Sequence, residues 1–473
     1  MAVRRYRGMF EGLTDELAAV AGARGASSFG VAGAQRFERE LVALQAGKVS
    51  GRDGSLRFTY DDPDLGTDVT RSFPWAKRIV VIGRDYLAEA DMPAGRGAIV
   101  GRFATSDHYE AVREITTGLA AKLHEEGYRA EVLIDDNRLV DRAAAARAGV
   151  GWVGRSTMVL APGHGPWMLL GSVVTDAPLT ISAPMQRDCG TCVACVPACP
   201  TGALDERGLD ARRCLSAWLQ SPGSIPHWIR MHLGRRIYGC DDCLTACPPG
   251  KRALAAAGED RIDLPFHELL ASSDDELLHR FHWWYVPRRQ GRFLRRNLLV
   301  AAGNSAEVGA RSQIEAHLDH RSSMIRGHAA WAMARAFPAI ARNRLRQALE
   351  TETVAEAVDE LALALLMVEH PGAHRVVLAA DEWARSQAMV RGLALIGPHA
   401  AAEPGDDSSL GLLLIHRGPE PPPTPELPVR FETAPLGDGL DLAGTSMARV
   451  YDPDGALDDL RRKDRGRRGP HRV

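Results

Sequence analysis

Apolar positions in the first 184 residues switch repeatedly between two spacings. Arg78–Gly83 and Ala130–Ile134 are short β-branched runs that read as strands, whereas Tyr109–Leu123 and Leu139–Ala148 carry apolar residues at helical intervals. Trp167–Thr175 (WMLLGSVVT) reads as one more buried strand. The alternation predicts an α/β domain over residues 1–184. A second pattern covers residues 268–401, where alanine, leucine and arginine dominate and strand formers are few. Arg296–Ala302 (RNLLVAA) aligns with Arg326–Ala332 (RGHAAWA) at a period of 30 residues, and a looser third copy starts near Glu356. Such units cannot bury a face alone, so they predict stacked helix pairs, HEAT-like α-helical repeats, with His328 as a packing residue. Residues 185–267 hold every cysteine and predict a compact metal module. Residues 402–473 run through PGDDSS and PEPPPTPELP to RRKDRGRRGPHRV, too polar and proline-rich to bury much surface, and predict a mostly disordered tail. The whole is an α+β multidomain chain.

Composition narrows the function. A chain of 473 residues with 45% hydrophobic and 25% charged residues is neither fibrous nor largely disordered. With 58 basic and 60 acidic residues, the net charge of −2 excludes a uniformly basic nucleic-acid coat and leaves only local patches. No run of eighteen apolar residues occurs, and the opening MAVRRYRGMFEGL lacks the apolar core of an export signal, so a cytoplasmic protein with no membrane contact is expected. In that compartment eight cysteines read as ligands rather than disulfides.

Their spacing says what they hold. Cys189, Cys192, Cys195 and Cys199 form C-x2-C-x2-C-x3-C followed by Pro200, the bacterial ferredoxin spacing for a 4Fe-4S cluster. Three thiolates reach three irons of one cubane, and the fourth points away to serve another. Cys240, Cys243 and Cys247, followed by Pro248, supply the second set, with Cys214 in place of a third close cysteine. The ligands then divide into Cys189, Cys192, Cys195 with Cys247, and Cys199, Cys214, Cys240 with Cys243. Two zinc sites would also use eight thiolates, but the C-x3-C-P endings belong to the cluster pattern, so the module is read as ferredoxin-like.

Other motifs are weaker. Gly149–Gly154 matches G-x-G-x-x-G but follows a helical run where a dinucleotide site needs a strand, so a helix C-cap with a close backbone approach is the better reading. Asp135 and Asp136 sit where a predicted strand ends, the place where open α/β sheets put reactive side chains, although a capping role serves as well. Arg288, Arg289, Arg292, Arg295 and Arg296 fall within nine residues, with no acid between 286 and 300 and with His282, Trp283, Trp284 and Tyr285 just before them. That mix suits phosphates and stacked bases, hence RNA binding.

Taken together, ISAPMQRDCGTCVACVPACPTGAL, ARRCLSAW, GRRIYGCDDCLTACP, ARAGVGWVGRSTMVL and RRNLLVAAGNSA followed by RGHAAWAMA resemble the epoxyqueuosine reductase family over about residues 30–400. The resemblance implies a cobalamin lying between the N-terminal domain and two 4Fe-4S clusters, with epoxyqueuosine in tRNA reduced to queuosine. It also implies Asp135 as proton donor, Gly151, Trp152, Gly154, Arg155, Ser216 and Asp241 around the cobalamin, and repeats that grip the tRNA near its anticodon loop. An external reductant such as flavodoxin or ferredoxin, and a monomer, are the matching expectations. The family's Asp-Tyr-His triplet reads Asp107-His108-Tyr109 here, its C-P-W-N reads Cys247-Pro248-Pro249-Gly250, and Asp135 is followed by Asp136, Asn137 and Arg138. Arg138 against Asp135 would depress that carboxyl's pKa. A reductive dehalogenase-like corrinoid enzyme and a non-enzymatic ferredoxin-type carrier are the competing readings.

Overall fold

A computed structural model describes residues 2–87, 91–93, 97–257, 260–262, 264–387, 390–396, 411–416, 424–425, 427, 430–435 and 447–451. The N-terminal sheet contains β1 (Ser28–Gly33), β2 (Arg78–Asp85), β3 (Ala130–Leu133) and β4 (Met168–Thr175) in the order β1-β2-β4-β3. Every neighbouring pair is antiparallel. The rule for parallel sheets that singled out Asp135 therefore does not apply, although Asp135 does follow the end of β3. Alternation along β2 sends Val80 and Ile82 to one face, against Leu17 of helix α1 (Ala2–Ala23) and Ile115 and Leu119 of α2 (His108–Glu125). Ile79 and Val81 go to the other, against Phe37, Val69 and Ala144 of α3 (Asp141–Arg147). Both faces are covered, which is why β2 is an unbroken apolar run rather than an alternating one.

The cysteine region folds as short helices, Cys195–Ala198, Leu215–Gln220, His227–His232, Asp242–Ala246 and Pro248–Ala256. Arg236–Tyr238 pairs in parallel with Ile99–Val100, stitching it to the first domain. On its other side, Leu219, Trp228, Ile229 and Ile237 share one continuous apolar core with Leu298, Val300, Ile325 and Trp331 of the helices that follow.

Those helices carry the internal repeat. The helices α4 (Arg292–Ser305), α5 (Ser323–Ala336) and α6 (Ala355–Glu369) lie side by side with α5 in the middle, and Pro338–Thr351 packs against both α5 and α6. Gly303 allows the close approach of α4 and α5, since a Cβ there would lie 2.8 Å from Ala332 Cα. His328 is fully buried; its Nδ1 bonds Met324 O at 2.7 Å and its Nε2 accepts from Ile225 N–H at 3.2 Å. It packs, as expected. No helix among the described residues is long and apolar enough to cross a membrane.

The tail requires correction. Gly411–His416, Arg430–Pro435 and Met447–Tyr451 form a four-stranded sheet with Val390–Ile396, so part of the span expected to be disordered is ordered, and the end of the span expected to be helical repeats is a strand. Leu412 and Leu414 bury against Leu363, Val377 and Ala380. The apolar GLLLIH run that makes this possible was masked by the prolines around it. The basic last thirteen residues lie outside the described residues.

One buried ion pair ties the module to the repeats. Arg230, 0% exposed, meets Glu360 through two hydrogen bonds of 2.8 and 2.7 Å, and His227 Nε2 lies 2.8 Å from the same carboxylate. Glu360→Gln leaves the guanidinium buried without its counter-charge and should cost about 3 kcal/mol or more. The check is the urea-unfolding midpoint; an unchanged value would show that Arg230 does not depend on this carboxylate.

Candidate metal centre and active site

Two Cys-Pro steps set the geometry of the cysteine cluster. Proline clashes with a helical residue before it, so Cys199 and Cys247 leave their short helices in extended conformation, with φ −72°, ψ 117° and φ −64°, ψ 125°. Each thiol is thus turned out of the turn that carries its sequence neighbours. The resulting neighbourhoods are those the spacing demands. Burial raises the Cys195 thiol's pKa, and the nearby sulfurs that raise it further are Cys189, Cys247 and Cys192. Burial also pushes Cys243 up to about 12, with Cys214 and Cys199 adding to it. Cys240 shifts up through burial, with Cys214 again among its neighbours. Cys195 lies within range of Cys243, so the two sets adjoin.

The donor set fits two iron-sulfur cubanes. All eight thiols are free of disulfides. Backbone N–H groups already point at sulfur: Arg155 N lies 3.4 Å from Cys189 Sγ and Ala203 N 3.2 Å from Cys199 Sγ. The amides of Ala217 and Ser216 oppose the burial that raises Cys214. Among the described residues no three Cys, His, Asp or Glu side chains converge on a position for a single ion. A cubane takes its four thiolates on separate irons.

Near the second set Asp135 stands exposed but surrounded by Tyr109, Asp141 and Arg142, a shallow recess whose Arg142 also acts on Cys214. Asp135 lies in the loop after β3 with φ 50°, a left-handed conformation uncommon outside glycine. Its side chain meets solvent yet is walled in by protein, and that desolvation raises its pKa. Asp141 raises it further, while Arg142 and a hydrogen bond with Tyr109 pull the other way. Arg138 plays no part in this. It pairs with Asp136 instead, Nη2 to Oδ2 at 2.6 Å and Nε to Oδ1 at 2.9 Å, and Asp136 also accepts Arg138 N–H. The contact with Arg138 that would have depressed Asp135 is not made, because Asp136 takes the cation, and burial then raises Asp135.

Tyr109 and Tyr238 both feel the Asp135 charge. Tyr238 Oη lies 3.2 Å from Gln220 Oε1, and Gln220 Nε2 donates to Ser216 Oγ at 3.0 Å, so Ser216 joins the same wall. Asp241 is raised by burial, accepts Arg102 N–H at 2.7 Å and, with Tyr109, lies near the buried Tyr86. Arg142 spans the gap: its charge lowers both Asp135 and Cys214, and its Nη1 donates to Thr157 O at 3.1 Å. Tyr109, Tyr238, Gln220 and Arg142 were not singled out from the sequence. Only contact across three chain segments reveals them.

The glycine-rich run is a helix end. After α3, Gly149 takes φ 72° and donates to Ala146 O, while Val150 N–H reaches Ala145 O, a Schellman cap. Gly151 and Gly154 pack against Leu160, and Gly154 lies against Cys189 Sγ. Arg155 donates to Gly190 O at 3.1 Å. These residues therefore line the first sulfur set, whereas Asp241 lies by Cys243 and Ser216 reaches Tyr238 through Gln220, both beside the second. Trp152 Nε1 is buried with no hydrogen-bond partner, an orphan donor of the kind a bound group would satisfy. The Pro249-Gly250 departure has a local cause: Gly250 abuts Gly165 and its carbonyl accepts Trp167 Nε1–H at 2.9 Å.

The arginine stripe divides. Arg288, Arg289 and Arg292 are exposed. Arg295 and Arg296 are 6% and 0% exposed, which withdraws them from a phosphate-binding role. Arg295 is held by Asp274 at 2.7 Å, and Arg296 by the carbonyls of Ser221, Gly223 and Trp218 and by Asn297. The acid-free interval around them is met by an acid and by carbonyls from elsewhere in the chain. Trp284 is buried, and both Trp283 and Trp284 donate to Ala104 O, while Tyr285 is 64% exposed.

Residues 188–250 match the family described as a 4Fe-4S double cluster binding domain. The epoxyqueuosine reductase of Xanthomonas campestris is 33% identical over 64% of this chain and 91% of its own length. That of Bacillus subtilis is 30% identical over 76% and 97%. Among solved structures, an epoxyqueuosine reductase with an epoxyqueuosine-modified tRNA-Tyr stem loop superposes with a TM-score of 0.68 at 28% identity, covering 76% of this chain and 99% of that one. The Bacillus subtilis enzyme, described with its catalytic aspartate loop swung out of the active site, gives a TM-score of 0.66 at 28% identity over 74% and 97%.

Cys247→Ser tests the interlocked ligand assignment. It should cost the cluster of Cys189, Cys192 and Cys195 while sparing the one nearer in sequence, leaving about four of about eight irons. Iron and sulfide analysis with electron paramagnetic resonance reads this; loss of the Cys240 and Cys243 cluster instead would reverse the pairing.

Proposed function

This chain belongs to the epoxyqueuosine reductase family of oxidoreductases, and from that premise we propose that it converts epoxyqueuosine to queuosine in tRNA, with cobalamin and two 4Fe-4S clusters as cofactors and Asp135 as proton donor. The observation that carries this reading is the raised Asp135 carboxyl beside Tyr109, on the side of the recess nearest Cys214 and Arg142. Removing the epoxide oxygen as water and leaving an alkene takes two electrons and two protons. When bound, cobalamin would supply a low-valent cobalt nucleophile, fed with single electrons from the clusters.

The chain's own residues handle the proton and the substrate. Desolvation keeps a proton on Asp135 at higher pH than an ordinary carboxyl allows, and the hydrogen bond with Tyr109 holds its carboxyl in place. The Asp136–Arg138 pair keeps a competing cation off it. Ser216 and Asp241, beside the second sulfur set, are the groups suited to holding the cobalamin, while Gly151, Gly154 and Arg155, with the unpartnered Trp152 Nε1, stand at the first cluster.

The helices α4 to α6 and their partners serve as HEAT-like repeats that grip the RNA. Tyr285 N–H donates to Tyr238 Oη at 2.9 Å, so the exposed Tyr285 adjoins Tyr238, which feels the Asp135 charge, and the arginine loop follows it in sequence. There Arg288, Arg289 and Arg292 meet the anticodon-loop phosphates. In this reading the enzyme works as a cytoplasmic monomer and takes electrons from a reductant such as flavodoxin or ferredoxin.

Asp135→Asn should keep cobalamin and iron content but lower turnover on epoxyqueuosine tRNA by about a hundredfold or more. In the parent enzyme the rate should fall as pH rises through the raised Asp135 pKa, because the donor is then deprotonated. Turnover in the variant equal to the parent's would remove Asp135 from the chemistry. Replacing Arg288, Arg289 and Arg292 with alanine should weaken RNA binding and flatten its log–log salt slope by about one unit per lost phosphate contact. An unaltered slope in a filter-binding titration would place the RNA elsewhere.

A further inference from the structure

We propose that the surface around Cys192 is the docking site for a small acidic one-electron carrier protein, through which electrons enter the chain. Cys192 is exposed, while Cys195 is buried and the remaining ligands lie between. The second set, by contrast, faces inward, where Arg142 connects Cys214 to Asp135. The two clusters therefore lead from an outer face to the recess.

The composition of that outer face selects the partner. Residues 149–155, 186–193 and 247–257 contain four cations, Arg155, Arg187, Lys251 and Arg252, and one acid, Asp188. All four cations are exposed, although the whole chain carries a net charge of −2, so the excess is local. The contacts bring them round the same cluster. Arg155 bonds Cys189 Sγ through its N–H and Gly190 O through its side chain. Arg187 lies 5.7 Å over the Trp152 ring. Cys247, which neighbours Cys189 and Cys192, leads directly into the helix carrying Lys251 and Arg252. Val193, next to Cys192, and Val153, two residues before Arg155, are 52% and 46% exposed. Exposed apolar side chains among cations are what a transient redox partner with an acidic rim requires: steering by charge, brief contact, rapid release.

In each encounter the carrier is oxidised by one electron, and the iron held by Cys189, Cys192, Cys195 and Cys247 is reduced by one. Two encounters supply a two-electron reduction. The inference rests on the proposed function only for what lies beyond the second cluster.

The test uses the reconstituted holoenzyme and its Lys251→Glu/Arg252→Glu variant, mixed in stopped flow with purified acidic flavodoxin hydroquinone. The parent's clusters should be reduced at a rate that falls with ionic strength. In the variant the bimolecular rate should drop about tenfold at low salt and lose most of that dependence. Iron content and the cluster resonance after deazaflavin photoreduction should stay the same. Equal rates and salt dependence in parent and variant would overturn the proposal, as would no reduction of the parent by the carrier, or loss of iron in the variant. Normal carrier-driven cluster reduction with no action on epoxyqueuosine would leave the docking site standing and refute the functional reading instead.

Discussion

A proline after a cysteine forbids that cysteine the helical conformation, and this steric rule at Cys199 and Cys247 is what the redox module depends on. Each short helix would otherwise keep its last thiol beside its sequence neighbours. Turned outward, Cys247 comes to neighbour Cys195 and Cys199 comes to neighbour Cys243, each in the other half of the module. Neither set is complete without the other half of the module. The interlock explains why the intervening chain, with Cys214 at the start of its own helix, is packed into the common core.

The recess gains its chemistry from a division of labour among charges. Asp135 is desolvated and left without a dedicated cation, whereas Asp136 one position later takes Arg138 in two side-chain bonds. Two adjacent carboxyls thus have opposite pKa shifts, Asp135 raised and Asp136 lowered. A general acid needs the first environment and a structural turn the second.

What could be read from the chain follows the range over which each feature is determined. Cysteine spacing is a local property, and so are the helix cap at Gly149 and the packing role of His328 within its repeat; these are legible. Which of two adjacent acids Arg138 takes is not legible in the chain, since both lie within reach and only the folded loop joins it to Asp136 through side chain and backbone N–H together. Arg295 and Arg296 looked like a basic stripe because Asp274 and the carbonyls around residues 218–223 are invisible to a window of nine residues. The sheet after residue 390 was lost among prolines, since a strand is recognised as much by its neighbours as by itself.

The apolar core that runs unbroken from Leu219 and Ile237 to Val300 and Trp331 has a consequence for assembly. A module that shares its interior with the helices beyond it cannot order itself separately, so filling with iron and shaping of the outer arginine surface are thermodynamically linked. Disorder begun at empty thiols would then spread into the helices beyond them instead of stopping at a boundary between domains.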